Sequence, residues 1–330
     1  MQRREFAIVL GCAAVAWPLA APAQQGGTLR TIAVLMGIAA TSQSEAYLAA
    51  FSRRMEELGW AKNRNMRIEV RWWAGTPEQM RTAAADLLAL SPDVIVAYSN
   101  LAVGLLQPME KRVPILFAQV GDPVGSGFVA SLAHPGGNIT GFAGYDGTMG
   151  GKWLEVLKET APNLSRVMTI FHPETPVHQG LWRSIQSSAG YLGVEAIPGG
   201  VHDANEIKNA ISSFAASESR TGGIIVLPHA IINANDGLLV ALTQQHRLPA
   251  IFSSAGSVKA GGLVSYGYDL AEAFGKTAEY ADRILRGEKP GDLPVQQPIK
   301  FNIVLNMKTA KAIGLTIPPS MLARADDVIE

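Results

Sequence analysis

The sequence predicts an α/β protein made of two doubly wound, Rossmann-like domains. Its 330 residues are enough for two domains of about 150 residues each. From Leu29 onward, short apolar runs alternate with amphipathic stretches, which is the pattern of repeated βαβ units. The apolar runs are nearly continuous, as is typical of parallel strands that are covered on both faces.

The charge balance excludes one class of partner. Lys plus Arg and Asp plus Glu both number 28. The chain therefore lacks the charge excess that holds a nucleic-acid backbone, and we expect no nucleic-acid partner. With 48% hydrophobic and 17% charged residues, the composition is that of a globular chain rather than a disordered one.

The first 23 residues have the features of an export signal. Arg3 and Arg4 precede an apolar stretch over residues 6–19, and Ala21-Pro22-Ala23 fits the small-residue cleavage pattern. We therefore expect cleavage after Ala23 and a periplasmic mature protein. The sequence Arg-Arg-Glu-Phe at the start also fits a twin-arginine signal, and the general secretory route remains an alternative.

Cys12 is the only cysteine, and it lies inside this segment. A lipoprotein signal that ends at Cys12 is a second interpretation, but the six apolar residues before it are fewer than export usually needs. After cleavage at Ala23 the chain would contain no disulfide and no thiol nucleophile. Its stability would then come from packing.

The first domain is predicted to contain five strands that alternate with helices. The strands cover residues 32–36, 66–72, 94–97, 114–120 and 138–142. The helices cover residues 45–58, a stretch that Thr76 caps, and shorter stretches near 102–109 and 124–132. Ser42 and Glu45 are expected to form a capping box at the start of the first helix.

The second domain is predicted to repeat this organisation. Its strands cover residues 166–171, 194–197, 223–227, 249–252 and 262–266. Its helices cover residues 151–160, 176–192, a stretch that Asp203 and Glu206 start, and 237–246. One further helix begins at Asp269, ends at Gly287 and carries an apolar stripe. We expect it to pack back onto the first domain.

This placement gives three crossings between the domains, near 143–147, near 265–269 and through 289–294. The sequence predicts an N-terminal lobe of 28–143 plus 269–290, a C-terminal lobe of 147–265, and a segment 291–330 that could belong to either lobe. Two crossings share the tripeptide Gly-Tyr-Asp. We expect a paired hinge whose residues Tyr145 and Tyr268 face the cleft; coincidence, with Asp269 only capping its helix, is the alternative.

Motifs for catalysis or cofactor binding are missing from the sequence. A glycine pattern like that of dinucleotide-binding proteins occurs at 125–130. It follows the fourth predicted strand, whereas the dinucleotide-binding pattern normally follows the first, so its position argues against a dinucleotide site. There is no G-x-x-x-x-G-K-[ST], no G-x-S-x-G, and no pair of histidines at zinc-ligand spacing. We therefore expect a protein that is not an enzyme and has no cofactor and no metal.

Candidate ligand-binding residues follow the strands of both domains, because open α/β sheets bind ligands at the carboxyl ends of their strands. Most carry hydroxyl or amide groups that suit a small polar ligand. The candidates are Thr41, Ser42, Ser44, Ser99, Asn100, Gly121, Asp122, Tyr145, His172, His229, Ser254 and Tyr268. Capping alone would explain Ser42, an Asp-Pro turn would explain Asp122, and solvated loops would explain the two histidines.

The chain resembles the bacterial ABC-transporter substrate-binding proteins of the tryptophan/tyrosine-binding type. The resemblance covers essentially the whole length after the signal. It rests on Ser44-Glu-Ala-Tyr47, Glu57-Leu-Gly-Trp60, Ser91-Pro-Asp-Val-Ile95, Asp122-Pro-Val-Gly125, Pro135-Gly-Gly-Asn-Ile-Thr-Gly141 and Gly314-Leu-Thr-Ile-Pro-Pro319. It implies the type I periplasmic-binding-protein fold and a small-molecule ligand held between the lobes. The expected partners of such a monomer are an ABC permease and its ATPase.

One position departs from the family. In its aromatic amino-acid binders, the loop after the strand that ends here at Leu227 tends to carry acidic, amide or hydroxyl groups, whereas this chain has Pro228-His229-Ala230-Ile231. This departure argues against an α-amino acid, since an ammonium group wants an anion or acceptors beside it. A small polar or aromatic organic solute is the expected ligand.

Two other functions stay open at this stage. An exported enzyme, a dehydrogenase or hydrolase, would use Asp122, Asp146 or His229. A ligand-sensing module of a membrane receptor would use the same fold and the same cleft as a transport protein.

Overall fold

Two separate β-sheets organise the chain in a computed structural model that describes residues 29–72, 75–217 and 221–330. The expected signal peptide, including Cys12, lies outside the described residues. In the part of the chain that the structure covers, no helix combines the length and the apolar character needed to span a bilayer.

The first sheet has five parallel strands. They are β1 (Arg30–Met36), β2 (Met66–Trp72), β3 (Val94–Tyr98), β4 (Ile115–Gly121) and β5 (Ile139–Tyr145), in the order β2-β1-β3-β4-β5. The helices between them are α1 (Ser42–Glu57), α2 (Pro77–Ala89) and α3 (Asn100–Met109). Strands β3, β4 and β5 are buried along their whole length, which explains their nearly continuous apolar sequences.

The second sheet starts with the same winding. Its strands β6 (Arg166–Phe171), β7 (Glu195–Gly200), β8 (Gly222–Val226), β9 (Ala250–Phe252) and β10 (Val264–Gly267) lie in the order β7-β6-β8-β9-β10. Its helices are α4 (Met149–Thr160), α5 (Pro176–Leu192), α6 (Ala204–Ala216), α7 (Ala230–Ala234), α8 (Asp236–Gln245) and α9 (Ala255–Lys259). Both sheets therefore have the doubly wound order that the sequence predicts.

Helix α10 (Leu270–Leu285) returns to the first sheet, where it packs mainly against α1 and also contacts β3, β4 and β5. We call the first sheet with its helices and α10 the first lobe, and the second sheet with its helices the second lobe. The chain then ends in the second sheet. Its last elements are β11 (Asn302–Asn306), α11 (Met307–Ile313), α12 (Pro319–Arg324) and β12 (Asp327–Ile329), with β11 antiparallel to β10.

The chain passes between the lobes three times, as predicted, but the third crossing comes later than residues 289–294. It lies between Gln296 and Asn302. The segment before it stays on the first lobe, because the Thr140 hydroxyl donates to the Leu293 carbonyl (2.6 Å) and the Gln296 N–H donates to the Gly141 carbonyl (3.0 Å).

Two local predictions are wrong. The stretch predicted as a helix near 124–132 is a series of turns: after one helix-type bond from the Ser126 N–H to the Asp122 carbonyl, Gly127 takes a φ of +71°, which ends the helical run. The capping box of α1 is formed by Thr41 and Ser44, one residue earlier than the expected pair Ser42 and Glu45. The helix therefore starts at Ser42 itself.

The α1–α10 contact contains a fully buried aromatic residue, Phe274, whose ring centroid lies 5.9 Å from those of both Tyr47 and Tyr98. We expect Phe274→Ala to destabilise the protein by about 3–5 kcal/mol, because it leaves a cavity between α10 and α1. Chemical denaturation measures this loss. Gly275→Ala is the matched control: an added Cβ there meets no neighbour within 4 Å, so its stability should equal or exceed that of the wild type. A wild-type midpoint for Phe274→Ala would contradict this packing.

Candidate ligand-binding cleft

A cavity of about 440 Å³ lies between the carboxyl ends of the two sheets. The first lobe contributes residues 38–47, Tyr98 and Gln119, which follow or end β1, β3 and β4. The second lobe contributes the end of β8 and segments that include α7, the start of α8 and α9. This is the position at which open α/β sheets bind their ligands.

Aromatic and aliphatic side chains form part of the cavity wall. Tyr47 and Tyr98 line it from the first lobe, and both rings rest on Phe274 of α10. Phe252 lines it from the second lobe. Burial raises the pKa of the Tyr47 phenol to about 12, so the hydroxyl stays neutral and can donate or accept a hydrogen bond. These rings give the cavity an apolar surface that would suit an aromatic or aliphatic solute.

The start of α1 supplies hydrogen-bond donors to the same cavity. The Ser44 hydroxyl accepts the Thr41 N–H (2.8 Å) and donates to the Ala39 carbonyl (2.8 Å), so both capping side chains are engaged within the helix start. Within the described residues, the backbone N–H groups of Ser42 and Gln43 have no partner. They lie at the positive end of the helix dipole, which favours an anionic or carbonyl group of a ligand.

Gln119 brings an amide into the cavity from β4. It has a φ of +55° and interrupts the register between β4 and β5, where the pairing shifts between Ala118 and Val120. This bulge turns the Gln119 side chain out of the strand alternation. The side chain is largely buried and has no hydrogen-bond partner among the described residues. It is therefore available to a ligand.

Asp236 is the acidic group of the cavity. It stands at the start of α8, where the Ser257 hydroxyl donates to its carboxylate at 2.5 Å. No lysine, arginine or histidine of the described residues forms an ion pair with it. Burial raises the pKa of Asp236, and the bond from Ser257 opposes that rise. Lys259 also lines the cavity but forms no ion pair with Asp236, so this half-buried carboxylate favours a ligand that carries a positive charge.

A narrow crevice continues from this cavity along the lobe interface. Ser99, Asn100, Tyr145 and His229 line it, together with Gln119, which also borders the cavity. Ser99 has a φ of +86° and a ψ of 158°, a backbone conformation that costs a serine energy, and its buried hydroxyl has no hydrogen-bond partner among the described residues. A polar ligand group that reached the crevice would satisfy this hydroxyl.

Asn100 holds the crevice in shape. Its Nδ2 donates to the Gly121 carbonyl (2.7 Å) and to the Ser126 hydroxyl (3.1 Å), while its Oδ1 accepts the Gly121 N–H (2.9 Å). Both N–H groups of the amide and one lone pair of its oxygen are thus engaged, which positions the end of β4.

Three histidine rings of the second lobe pack together beside the crevice. The centroid of His229 lies 4.3 Å from that of His172, in a stacked arrangement, and 5.7 Å from that of His178. Burial lowers the pKa of His229 to about 3 and that of His178 to about 4. Both imidazoles are neutral near pH 7 and cannot offer a cation to an acidic ligand.

The carbonyl of Pro228 fixes the loop that carries His229. It accepts hydrogen bonds from the Tyr145 hydroxyl (3.3 Å) and from Nε2 of His178 (3.2 Å). Nδ1 of His178 accepts the His172 N–H (3.0 Å), which fits the neutral tautomer with hydrogen on Nε2. Tyr145, at the first crossing, thus ties the first sheet to a loop of the second lobe.

Ten of the twelve residues predicted for the site line the cavity, the crevice or one of two further pockets. Thr41, Ser42, Ser44 and Ser254 line the cavity; Ser99, Asn100, Tyr145 and His229 line the crevice; His172 lines an adjoining groove; and Tyr268 lines a separate small pocket at the crossings. The remaining two, Gly121 and Asp122, lie outside these linings. The Asp122 carboxylate accepts the Gly125 N–H (2.9 Å) and so shapes a turn.

The sequence analysis did not identify several cavity residues, namely Tyr47, Tyr98, Gln119, Asn233, Asp236 and Ser257. Tyr47 lies on the apolar face of an amphipathic helix, where a core residue is expected. Asn233 and Asp236 belong to the two helices after β8, beyond the loop 228–231 that directly follows the strand. The amide and acidic groups expected directly after Leu227 therefore come from slightly farther along the chain.

Comparison with known proteins agrees with this architecture. The family model of the ABC transporter substrate binding proteins matches residues 31–329. The chain belongs to this family. The tyrosine-binding protein of Clostridioides difficile is 26% identical over 265 residues, which are 80% of this chain and 75% of that relative. This substrate-binding protein is therefore not an enzyme, and the dehydrogenase or hydrolase alternative is not supported.

Solved structures show the same fold. A conserved domain protein from Vibrio cholerae has a TM-score of 0.83 at 24% identity and covers 91% of this chain and 100% of that one. An ABC domain in complex with L-Trp from Streptococcus pneumonia has a TM-score of 0.83 at 24% identity, covering 92% and 100%. The ligand-free, open structure of a Clostridium difficile substrate binding protein has a TM-score of 0.66 at 22% identity, covering 91% and 99%.

The buried histidines make stability depend on pH. His178 is neutral in the folded protein down to about pH 4, whereas the same group in the unfolded chain is protonated below about pH 6.5. Stability should therefore fall as the pH drops from about 6.5 to 4, by roughly 2 kcal/mol from His178 at about pH 5.

Denaturant midpoints at pH 7 and pH 5 measure this effect. The difference between the two midpoints should shrink in His178→Gln, whatever the absolute stability of that variant. His134→Gln, which changes an exposed histidine, should keep the wild-type difference. An unchanged difference in His178→Gln would contradict a buried neutral imidazole.

Proposed function

We propose that this protein is the extracytoplasmic receptor of an ABC importer, which binds a small organic solute between its lobes and passes it unchanged to a permease. The observation that carries the proposal is the cavity itself. Both lobes line it, and among the described residues it contains Gln119 and α1 N–H groups without hydrogen-bond partners and an Asp236 carboxylate without an ion-pair partner. In this proposal the exported chain starts at Gln24 and acts as a monomer, with a permease and its ATPase as partners.

The chemistry of the cavity favours a solute with an apolar or aromatic body and a cationic amine. The amine would lie at Asp236, where it replaces the missing counter-ion. A carboxylate or carbonyl would lie at the start of α1, and the body against Tyr47 and Tyr98. Related proteins are named for tyrosine binding and for a complex with L-Trp. L-tyrosine and L-tryptophan are therefore the first solutes to test, followed by aromatic amines and other amino acids.

Hinge closure is part of the proposal. In the ligand-free form, a solute enters between separated lobes, and contacts with both lobes then favour the closed arrangement. Two observations support a closed arrangement here. Gln43 of the first lobe contacts Ser254 of the second. The chain also matches the L-Trp complex with a higher TM-score than the open, ligand-free structure, 0.83 against 0.66.

The test starts with a thermal-shift screen of these solutes, because a ligand that binds only the folded state raises its apparent stability. Calorimetry with the best solute then compares the wild type with Asp236→Asn. We expect a roughly 10- to 100-fold weaker affinity for the variant, because the amide keeps the size of the side chain but not its charge.

Asp86→Asn provides the control, since it makes the same chemical change on the exposed face of α2 and should bind as the wild type does. Wild-type affinity for Asp236→Asn would place the ligand elsewhere. The absence of any stabilising solute would contradict the receptor function. A gene deletion that leaves solute uptake intact would favour the ligand-sensing alternative.

A further inference from the structure

The first and second lobes touch at the mouth of the cavity, between the first turn of α1 and the first turn of α9. Nε2 of Gln43 donates to the hydroxyl of Ser254 at 3.3 Å. The same hydroxyl caps α9 by accepting the Gly256 N–H at 3.1 Å. A single hydroxyl therefore joins the start of a helix in one lobe to a side chain of the other.

Gly256 leaves the space that this contact needs. A Cβ built on Gly256 would overlap the carboxamide of Gln43, including its carbon, oxygen and nitrogen atoms. The backbone of Gly256 has no positive φ, so its conformation does not demand glycine. Glycine is needed at position 256 because the side-chain amide of Gln43, from the other lobe, packs directly against it.

The contact also reaches the aromatic wall of the cavity. Gln43 and Tyr47 are four residues apart on α1 and so share one face of the helix. Ser254 and Gln43 lie near the Tyr47 phenol and oppose the rise in its pKa that burial causes. The lobe contact therefore continues into a side chain that lines the cavity.

We propose that Gln43 and Gly256 form a cross-cleft latch, a pair of positioning residues that holds the lobes closed and so slows ligand release. This inference rests on the proposed receptor function. A side chain at position 256 would displace the flexible Gln43 amide and break its bond to Ser254. Removing Gln43 would break the same bond, so the two changes act on one contact.

Ligand kinetics test the latch. With L-tyrosine or L-tryptophan as the probe, Gly256→Ala and Gln43→Ala should each raise the dissociation rate by roughly three- to ten-fold, the range expected for one lost hydrogen-bonded contact. The double variant should dissociate no faster than either single variant, because the second change has nothing left to remove. The association rate should equal or exceed the wild-type value, because the variants leave more of the ligand-free protein open to entry.

Gly237→Ala is the matched control in the same lobe, because a Cβ there meets no atom within 4 Å. It should dissociate as the wild type does. Wild-type dissociation from Gly256→Ala would overturn the latch. Single-variant effects that multiply in the double variant would also overturn it, since they would show two independent contacts.

A distance measurement separates failure of the latch from failure of the receptor function. Spin labels at Glu56→Cys and Tyr191→Cys, both exposed and in different lobes, report lobe separation, and the chain after Ala23 has no other cysteine. With and without probe, the latch variants should show a smaller closed population than the wild type. Equal distance distributions in the latch variants and the wild type would overturn the latch, even if the wild type binds neither amino acid. A wild type that binds neither amino acid would, by itself, count only against the receptor function.

Discussion

The packing of α10 against α1 is the constraint on which the rest of this structure depends. After the second sheet has formed its first five strands, the chain returns to the first lobe and buries Phe274 there. After this return the chain must cross to the second lobe again, so three segments connect the lobes instead of one. It also places Phe274 under Tyr47 and Tyr98, so the core that joins α10 to the lobe supports one wall of the cavity.

Without a ligand, several charged and polar groups of the cavity lack an interaction partner. Asp236 is held by Ser257 but lacks a cation, Gln119 lacks a partner, and the α1 start has free N–H groups, all within the part of the chain that is described. Such groups cost free energy when the lobes close over them. A solute that pairs with them removes this cost. The same residues that select the solute therefore also make lobe closure depend on it, and the Gln43 contact adds a smaller term that needs no ligand.

The general fold could be read from the sequence because its signals are local and repeated. Apolar runs at regular spacing predicted both sheets, and Thr76 with Pro77 marked the start of α2 correctly. The site was harder to predict. Gln119 faces the cavity only because a bulge interrupts β4, and the position of a bulge depends on pairing with β5, which no single segment encodes.

Asp236 shows a related limit. Its neighbours in sequence favour a helix start, whereas its place in the cavity and its hydrogen bond from Ser257 of α9, 21 residues along the chain, follow from tertiary structure. Strands β11 and β12 were not predicted because the third crossing begins only after Gln296, where turns and short elements hide the pattern. In each case the missing information is a long-range contact.

Small-angle scattering with and without the solute found in the thermal-shift screen tests the central claim most directly. If this protein grips its ligand by closing two lobes, the radius of gyration should fall when the solute saturates the site. The binding isotherm and the fall in radius should then have the same midpoint. Calorimetric saturation with unchanged scattering would contradict the account, because the solute would then bind without drawing the lobes together.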